Sequence, residues 1–187
     1  MTSFTGRRAR AGLLLAAACL ALAGCKTTGK GMPEEESGFV NPFEERAFKE
    51  SETGLPPLPK EADLIPFSVN GSGEFRFAVD SKSISVGPDR VVRFTVVITS
   101  PGGARNVNFE GMRCDAFERK LSATLPQGAT EWIPNRADDR DTWYRMQTRS
   151  RNAYSATLAT DFFCEGRTVA GSPEKMIKDL RAYAPSR

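Results

Sequence analysis

The chain of 187 residues contains no histidine. Because histidine is the commonest general base and metal-binding side chain, its absence excludes serine–histidine and cysteine–histidine nucleophilic pairs. The 4 cysteines are scattered, and without histidine they make a poor metal site. No glycine-rich phosphate-binding motif follows a predicted strand. We therefore expect no metal, no cofactor and no enzyme of these classes.

A long hydrophobic run is also missing. The longest, residues 11–23, is too short to span a bilayer, which takes about 20 apolar residues. It follows three arginines, Arg7, Arg8 and Arg10, with no acid among them. A basic start, a short apolar middle and a small-residue exit are typical of a secretory signal. Residues 1–24 are therefore predicted to be a signal peptide, and a buried N-terminal helix is the alternative.

The segment Leu22-Ala23-Gly24-Cys25 resembles the lipobox of bacterial lipoprotein precursors. The resemblance implies cleavage before Cys25, diacylglycerol on its sulfur and fatty acylation, such as palmitate, of the new amino terminus. Two or three chains anchor a protein stably. Lys26 stands where the usual inner-membrane retention signal would be aspartate. The expected location is thus the inner leaflet of the outer membrane, with the protein facing the periplasm and the membrane as its partner through Cys25.

The net charge of the whole chain is +3. Without the three arginines of residues 1–24, the 26 basic residues fall to 23 and equal the 23 acidic ones. No basic domain remains, so we expect no nucleic acid partner.

Two cysteines remain after cleavage and lipidation, Cys114 and Cys164. In an oxidising compartment such a pair predicts a disulfide. The bond would close a loop of about 50 residues and contribute roughly 4 kcal/mol in the chain-entropy model. Two separate buried thiols, or a redox or metal pair, are the alternatives.

Residues 25–61 are predicted to be the lipidated N-terminus and a flexible tether. They contain 5 of the 12 prolines and the acidic run 34–36, and their apolar residues show no sustained period. Such a segment cannot bury enough surface to offset the entropy of ordering. A short helix over residues 41–49 that docks on the domain or on a partner is the alternative for that stretch.

Residues 62–187 are predicted to form a single domain. Alternating apolar and polar positions predict short strands, at residues 65–69, 75–80, 84–86, 91–100, 105–114, 117–125 and 130–133. In the clearest strand, 91–100, Val92 and Phe94 lie on one face, and Arg93 lies on the other. In the next strand the apolar parity switches at Gly111, which predicts a β-bulge there.

Two helices are predicted after the strands. Asn152 is a suitable cap for a first helix whose Tyr154, Leu158 and Phe162 repeat every four residues. Ser172-Pro173-Glu174 is a start signal for a second helix. Strands followed by helices indicate an α+β fold: an antiparallel β-sheet of about five to six strands with two C-terminal helices on one face.

Several segments together resemble the cryptic neisserial protein-like family of proteobacterial secreted proteins. The resemblance lies in residues 55–67, 83–87, 91–107, 109–114 and 162–164, and it covers roughly residues 55–183. The family is uncharacterised, so the resemblance carries over no catalytic residue.

Four residues are the best candidates for a recognition surface: Trp132, Trp143, Tyr144 and Arg145. Aromatic rings flanked by arginine stack on glycans or hold partner peptides. The alternative is that both tryptophans fill the edge of the core.

Two groups of acidic residues also invite interpretation. The acids of residues 138–141 lack the oxygen spacing of a calcium loop and favour a solvated, self-neutralising loop. Glu110 favours a structural ion pair with Arg113 over a general acid.

The sequence thus predicts a non-catalytic lipoprotein that binds an envelope protein or glycan, or helps to assemble the envelope. A carboxylate-dependent hydrolase acting on cell-wall glycan is the alternative. An inhibitor or chaperone of another secreted protein is a third possibility.

Overall fold

The computed structural model describes residues 48–70, 73–136, 142–149 and 153–185. The predicted signal peptide, Cys25, the acidic residues of 138–141 and the Asn152 cap lie outside these ranges. Within them, the longest apolar helix falls short of what a membrane crossing requires.

The strands follow one another in chain order with short connections. Their bounds are β1 Leu64–Phe67, β2 Arg76–Asp80, β3 Ser85–Val86, β4 Val92–Thr99, β5 Arg105–Arg113, β6 Glu118–Leu125, β7 Ile133–Pro134, β8 Tyr144–Arg145, β9 Cys164–Glu165 and β10 Thr168–Val169. An 8-stranded sheet has the order β1-β2-β4-β5-β6-β7, with β3 beside β4 and β8 beside β6. All pairings are antiparallel, and β9 and β10 form a separate 2-stranded sheet.

Two helices follow the main sheet. Helix α1, Tyr154–Leu158, continues directly into a π-helical turn, Ala159–Phe163. Helix α2, Pro173–Ala182, begins as its sequence predicts: the Ser172 side chain accepts a hydrogen bond from the Lys175 backbone N–H. Proline occupies the first helical turn of α2, where its missing N–H has no partner to lose.

The helices pack on one face of the sheet, called the inner face here. The Phe94 ring lies 5.1 Å from the Phe163 ring, and the Phe77 ring lies 5.7 Å from the Tyr154 ring. Further side chains of this core are fully buried, namely Val79, Val92, Val96, Met112, Leu158, Met176 and Leu180. The predicted α+β fold is therefore confirmed.

The strand count differs from the prediction of five to six. Strands β3, β7 and β8 have 2 residues each. The strands predicted at residues 84–86 and 130–133 overlap β3 and β7, whereas no predicted strand overlaps β8. All three are defined by pairing with β4 and β6, and their sequences alone do not specify those partners.

The predicted bulge at Gly111 is wrong in its position. The β4–β5 ladder runs without interruption through Gly111, and the register shifts between Phe109 and Glu110 on the side of β6. There Phe109 pairs with Ala123 and Glu110 with Leu121, so the extra residue is Ser122 in β6. The parity switch in β5 has another cause, because both faces of this strand are buried.

Cys114 and Cys164 form a disulfide, as the sequence predicts, and their Cα atoms lie 5.6 Å apart. Cys114 lies in the turn that follows β5, and Cys164 ends the π-helical turn and begins β9. The bond therefore fixes the end of the first helical segment to the end of a central strand.

Proline lies in both strands that end the path of the main sheet. Pro66 lies within β1 and pairs with Ala78, whereas Pro134 closes β7 and pairs with Ala123. Proline has no backbone N–H and is tolerated in a sheet mainly at such edges.

Candidate functional site

Two cationic side chains are buried on the face of the sheet opposite the helices, called the outer face here. Arg93 of β4 is 4% exposed and Lys120 of β6 is 7% exposed. Gly111 of β5 lies between them in register, pairing with both. A buried cation is costly unless an anion meets it, so the two side chains define where acidic partners are required.

Residues 48–56, called the strap here, lie across this face. The Ser51 backbone N–H donates to Asp89 Oδ2 at 2.8 Å. The Ser51 carbonyl oxygen accepts from Arg93 Nη2 at 3.1 Å. The Asp89–Arg93 pair thus binds both backbone groups of one strap residue.

Asp89 also neutralises Arg93 directly. Arg93 Nη1 and Nη2 donate to the two carboxylate oxygens at 3.1 and 2.6 Å, a bidentate geometry. Burial raises the pKa of Asp89, but hydrogen bonds from Arg93 and from the Ser51 and Val91 backbone N–H groups outweigh it and hold the pKa at about 2. Asp89 is therefore ionised throughout the physiological range.

Gly87 allows this pair to form. A Cβ atom at Gly87 would lie 2.7 Å from Arg93 Nη1 and even closer to the Asp89 carboxylate. Any side chain at this position would therefore displace the Asp89–Arg93 pair.

Glu50 of the strap supplies the acid for Lys120. The Glu50 carboxylate forms an ion pair with Lys120 Nζ and lies 3.5 Å from Arg93 Nη2. Lys120 Nζ also lies 5.3 Å from the centroid of the Trp143 ring. Since Asp89 already balances Arg93, the charge of Glu50 principally serves Lys120.

An aromatic contact fixes the beginning of the strap. The Arg113 guanidinium lies 3.8 Å from the centroid of the Phe48 ring, and the Trp143 ring meets Phe48 edge to face at 5.7 Å. A Cβ atom at Gly111 would lie 3.3 Å from the Trp143 ring. Gly111 therefore lets Trp143 approach the sheet closely enough to hold Phe48.

Trp132 fixes the other end of the strap. Its indole N–H donates to the Pro56 carbonyl oxygen at 2.8 Å, and its ring lies 6.3 Å from the Phe109 ring. Trp132 precedes β7, whose Ile133 pairs with Thr124 of β6. This pairing positions the tryptophan over the outer face.

A groove of about 730 Å³ lies between the middle of the strap and the sheet. Its walls combine residues of the strap, Glu50, Ser51, Glu52, Thr53, Gly54 and Leu55, with Arg93, Phe109, Lys120, Ser122 and Pro134. It is thus a mixed polar and apolar groove with two cations at its base.

The four residues predicted as a recognition surface separate into two pairs. Trp132 and Trp143 are both half-buried and both contact the strap. Tyr144 and Arg145 are exposed in β8, where they pair with Arg119 and Glu118 of β6. The tryptophans therefore neither fill the inner core nor stand free in solvent.

The strap lies within the segment that the sequence assigns to a flexible tether, residues 25–61. Residues 48–61 are described, and several of them contact the sheet and its loops. Their partners are 38 to 76 positions away in the chain, so no local pattern reveals the contacts.

Sequence reasoning missed Phe48, Glu50, Asp89, Arg93 and Lys120. One available signal was Arg93, a cation within a strand of otherwise largely apolar residues. Its position on the face opposite Val92 and Phe94 does not reveal its burial, because strands covered on only one side also alternate in this way.

A second polar cluster lies on the inner face. Glu110 is fully buried, accepts hydrogen bonds from Tyr154 Oη and Asn108 Nδ2, and lies 3.5 Å from Arg119 Nη1. Burial raises the pKa of Glu110 despite Arg119 and these hydrogen bonds, and burial together with Glu110 raises the pKa of Tyr154. Arg119 replaces the predicted partner Arg113, which pairs instead with Asp115 and Glu118.

Among the described residues, no group of three or more Cys, Asp or Glu side chains is arranged so that it could hold a metal ion. The outer face is a largely polar surface that holds a segment without regular secondary structure, the strap.

A protein-family model for the CNP1-like family matches residues 43–181. The match includes the whole strap and every residue of the outer face named above. It confirms the family resemblance found in the sequence. No curated protein and no solved structure matches the chain.

Proposed function

The chain belongs to the CNP1-like family, and we propose that it is a non-catalytic binding module of the bacterial cell envelope. In this proposal Cys25 carries lipid, the chain is held at the inner leaflet of the outer membrane, and the domain faces the periplasm. Its outer face there binds an extended segment of an envelope partner.

The observation that carries this proposal is the way the outer face holds the strap. Asp89 and Arg93 bind the N–H and the carbonyl of Ser51, and Trp132 binds the carbonyl of Pro56. Hydrogen bonds to the backbone of a bound segment contribute affinity in many peptide-binding sites, whatever the side chains of that segment.

The anchor rests on the sequence alone, since Cys25 lies outside the described residues. The lipobox-like segment at residues 22–25 follows a signal-like run directly. A tethered binding module gains from such an anchor, because confinement to one membrane raises its local concentration near partners in that membrane.

Binding has better support than glycan hydrolysis. A general acid must be protonated near neutral pH, whereas the pKa of Asp89 is about 2. Glu50, which lines the groove, is held by Lys120 and Arg93. Glu110 has a raised pKa but is fully buried on the inner face.

Site-specific photocrosslinking in intact cells tests the binding function. A crosslinking amino acid at Thr53, exposed over the groove, is expected to capture a defined envelope protein identified by mass spectrometry. The same group at Asp161, exposed in the π-helical turn, is the matched control and should not capture it. Identical patterns from both positions, or no adduct from Thr53, would contradict the proposal.

The anchor is tested by membrane fractionation. Cys25→Ser should release the protein from membranes into the soluble fraction, because the acceptor of the lipid is gone. Cys19→Ser, which changes a cysteine inside the predicted signal, is the control and should leave the protein in the membrane. Retention of the Cys25→Ser protein would reject lipid anchoring.

A further inference from the structure

The strap presents three kinds of group to the outer face at fixed spacing. An aromatic ring comes first at Phe48, and a carboxylate follows two residues later at Glu50. Backbone groups of Ser51 and Pro56 follow. Each kind of group has its own receptor on the sheet, and the three receptors differ in what they demand of a ligand.

The aromatic receptor is formed by Arg113 and Trp143 around the Phe48 ring. The Arg113 guanidinium lies 3.8 Å from the centroid of this ring, and a guanidinium in this position attracts the negative face of any aromatic ring. Phe48 itself remains 37% exposed. This receptor therefore selects an aromatic residue without enclosing it.

The carboxylate receptor is Lys120 with Arg93 beside it. Both are nearly buried, and Glu50 is the acid with which Lys120 forms an ion pair. A neutral side chain at this position would leave Lys120 buried without its counter-charge, which is unfavourable. This receptor therefore selects for a negative charge.

The backbone receptors, Asp89, Arg93 and Trp132, are indifferent to side chains. Peptide N–H and C=O groups are present in every residue, so these contacts require only an extended chain in the correct register. An extended chain of another protein satisfies them as well as the strap does.

The middle of the strap does not match the groove beneath it. Glu52, Thr53, Gly54 and Leu55 are all exposed as they cross a groove of about 730 Å³ with Phe109 and Pro134 in its walls. A segment with larger apolar side chains at these positions would bury more surface in the groove. The additional buried surface would offset the advantage of the strap, which lies at a high effective concentration near the groove because it belongs to the same chain.

Building on the proposed function, we infer that the outer face is a binding site for an extended segment of a partner protein with an aromatic residue and, two positions later, a carboxylate. The strap occupies this site in cis until such a segment displaces it. The ligand class is thus an acidic, aromatic peptide, with Lys120 and Trp143 as its specificity-determining residues.

The test uses the full-length chain, purified from membranes in detergent, and a labelled synthetic peptide with the sequence of residues 46–58. The double variant Phe48→Ala/Glu50→Gln weakens the strap and opens the site. We expect the peptide to bind the opened variant at least about tenfold tighter than the wild type, because the strap competes in cis at millimolar effective concentration. Fluorescence anisotropy measures both affinities.

A matched peptide pair isolates the carboxylate receptor. The peptide that carries Glu50→Gln should bind the opened variant about tenfold more weakly than the native peptide, since a charge-assisted hydrogen bond is worth about that factor. Adding Lys120→Gln to the opened variant should abolish the difference between the two peptides. If the double variant does not fold, the single variant Glu50→Gln provides the same comparison with a smaller change.

Three results would overturn the inference: no binding of the peptide to the opened variant, equal affinity for the glutamate and glutamine peptides, or discrimination that persists without Lys120. A dimer of the opened variant that forms without peptide, seen by light scattering, would also overturn it and indicate strap exchange between two copies. None of these results bears on crosslinking at Thr53 in cells, so failure here is distinguishable from failure of the proposed function.

Discussion

The two faces of the main sheet are both covered, but the covers differ in kind. On the inner face the helices contribute apolar side chains such as Phe163 and Leu158, which are fully buried. On the outer face the strap contributes ion pairs, backbone hydrogen bonds and a ring that is 37% exposed. Apolar packing is non-directional and sums over many contacts, whereas the outer contacts are few and replaceable. The inner cover therefore supports the fold, and the outer cover is suited to exchange.

The largest expected effect is the loss of apolar packing on the inner face. Phe163→Ala should lower the free energy of unfolding by about 4 kcal/mol, because the ring is fully buried and its removal leaves a cavity. Phe48→Ala, the matched change on the outer face, should cost only about 0.5–1 kcal/mol, the value of an exposed cation–π contact. Urea denaturation measures both, and equal losses would remove the distinction between the two covers.

The next effect concerns the strongest polar contact of the outer face. Asp89→Asn should lower the free energy of unfolding by about 3 kcal/mol, because it leaves the nearly buried Arg93 without its bidentate partner. Since the pKa of Asp89 falls from 3.8 to about 2 on folding, its contribution is present above pH 3.8 and is lost as the pH falls toward 2.

Denaturation of Asp89→Asn and the wild type at several pH values measures this contribution. The two proteins should differ fully near pH 6, and the difference should shrink below pH 3.8 and vanish only below about pH 2. Glu52→Gln, which removes an exposed carboxylate of the strap, is the control and should change little. A difference between Asp89→Asn and wild type that is independent of pH would contradict the ion pair as its cause.

A smaller effect is expected where the backbone approaches that pair. Gly87→Ala should cost about 2 kcal/mol, the usual scale of overpacking, because its Cβ would lie 2.7 Å from Arg93 Nη1. Gly54→Ala in the strap is the control, since no atom lies within 4 Å of the added Cβ. Thermal unfolding measures both variants. Equal melting temperatures would show that the Asp89–Arg93 pair shifts without cost to accommodate a Cβ atom at residue 87.

The smallest effect is expected from the buried acid of the inner face. The raised pKa of Glu110 means that folding disfavours its ionised form, so wild-type stability falls as the pH rises above about 4.5, the ordinary value. Glu110→Gln lacks this loss. The melting temperature of the variant relative to wild type should therefore rise from pH 4 to pH 8. A melting-temperature difference that does not change with pH would show that folding does not shift the pKa of Glu110.

The inner face is where sequence reasoning succeeded. The apolar positions of β2 and β4, the start signal of α2 and the pairing of Cys114 with Cys164 all have local or compositional causes. The fold class followed from them.

The sequence does not predict the burial of the outer face, because the contacts that bury it join residues far apart in the chain. A strand covered on one side alternates, and the sequence was interpreted in that way. Arg93 is only 4% exposed and Thr95 is fully buried, so β4 is covered on both sides. In β5 both faces are likewise buried, so apolar residues occur at both parities, and the sequence pattern at Gly111 resembles that of a bulge. The strap that covers Arg93 consists mainly of polar residues, and its contacts depend on partners brought together only by folding.

The prolines at the two ends of the sheet affect how readily the sheets of neighbouring molecules can pair. A protein confined to a membrane meets copies of itself far more often than a freely diffusing one. An open strand edge under these conditions would recruit a neighbouring strand and begin a growing ribbon. Pro66 and Pro134 each remove one backbone N–H from the strands at the two ends of the sheet, which makes these strands poorer templates for a neighbouring strand.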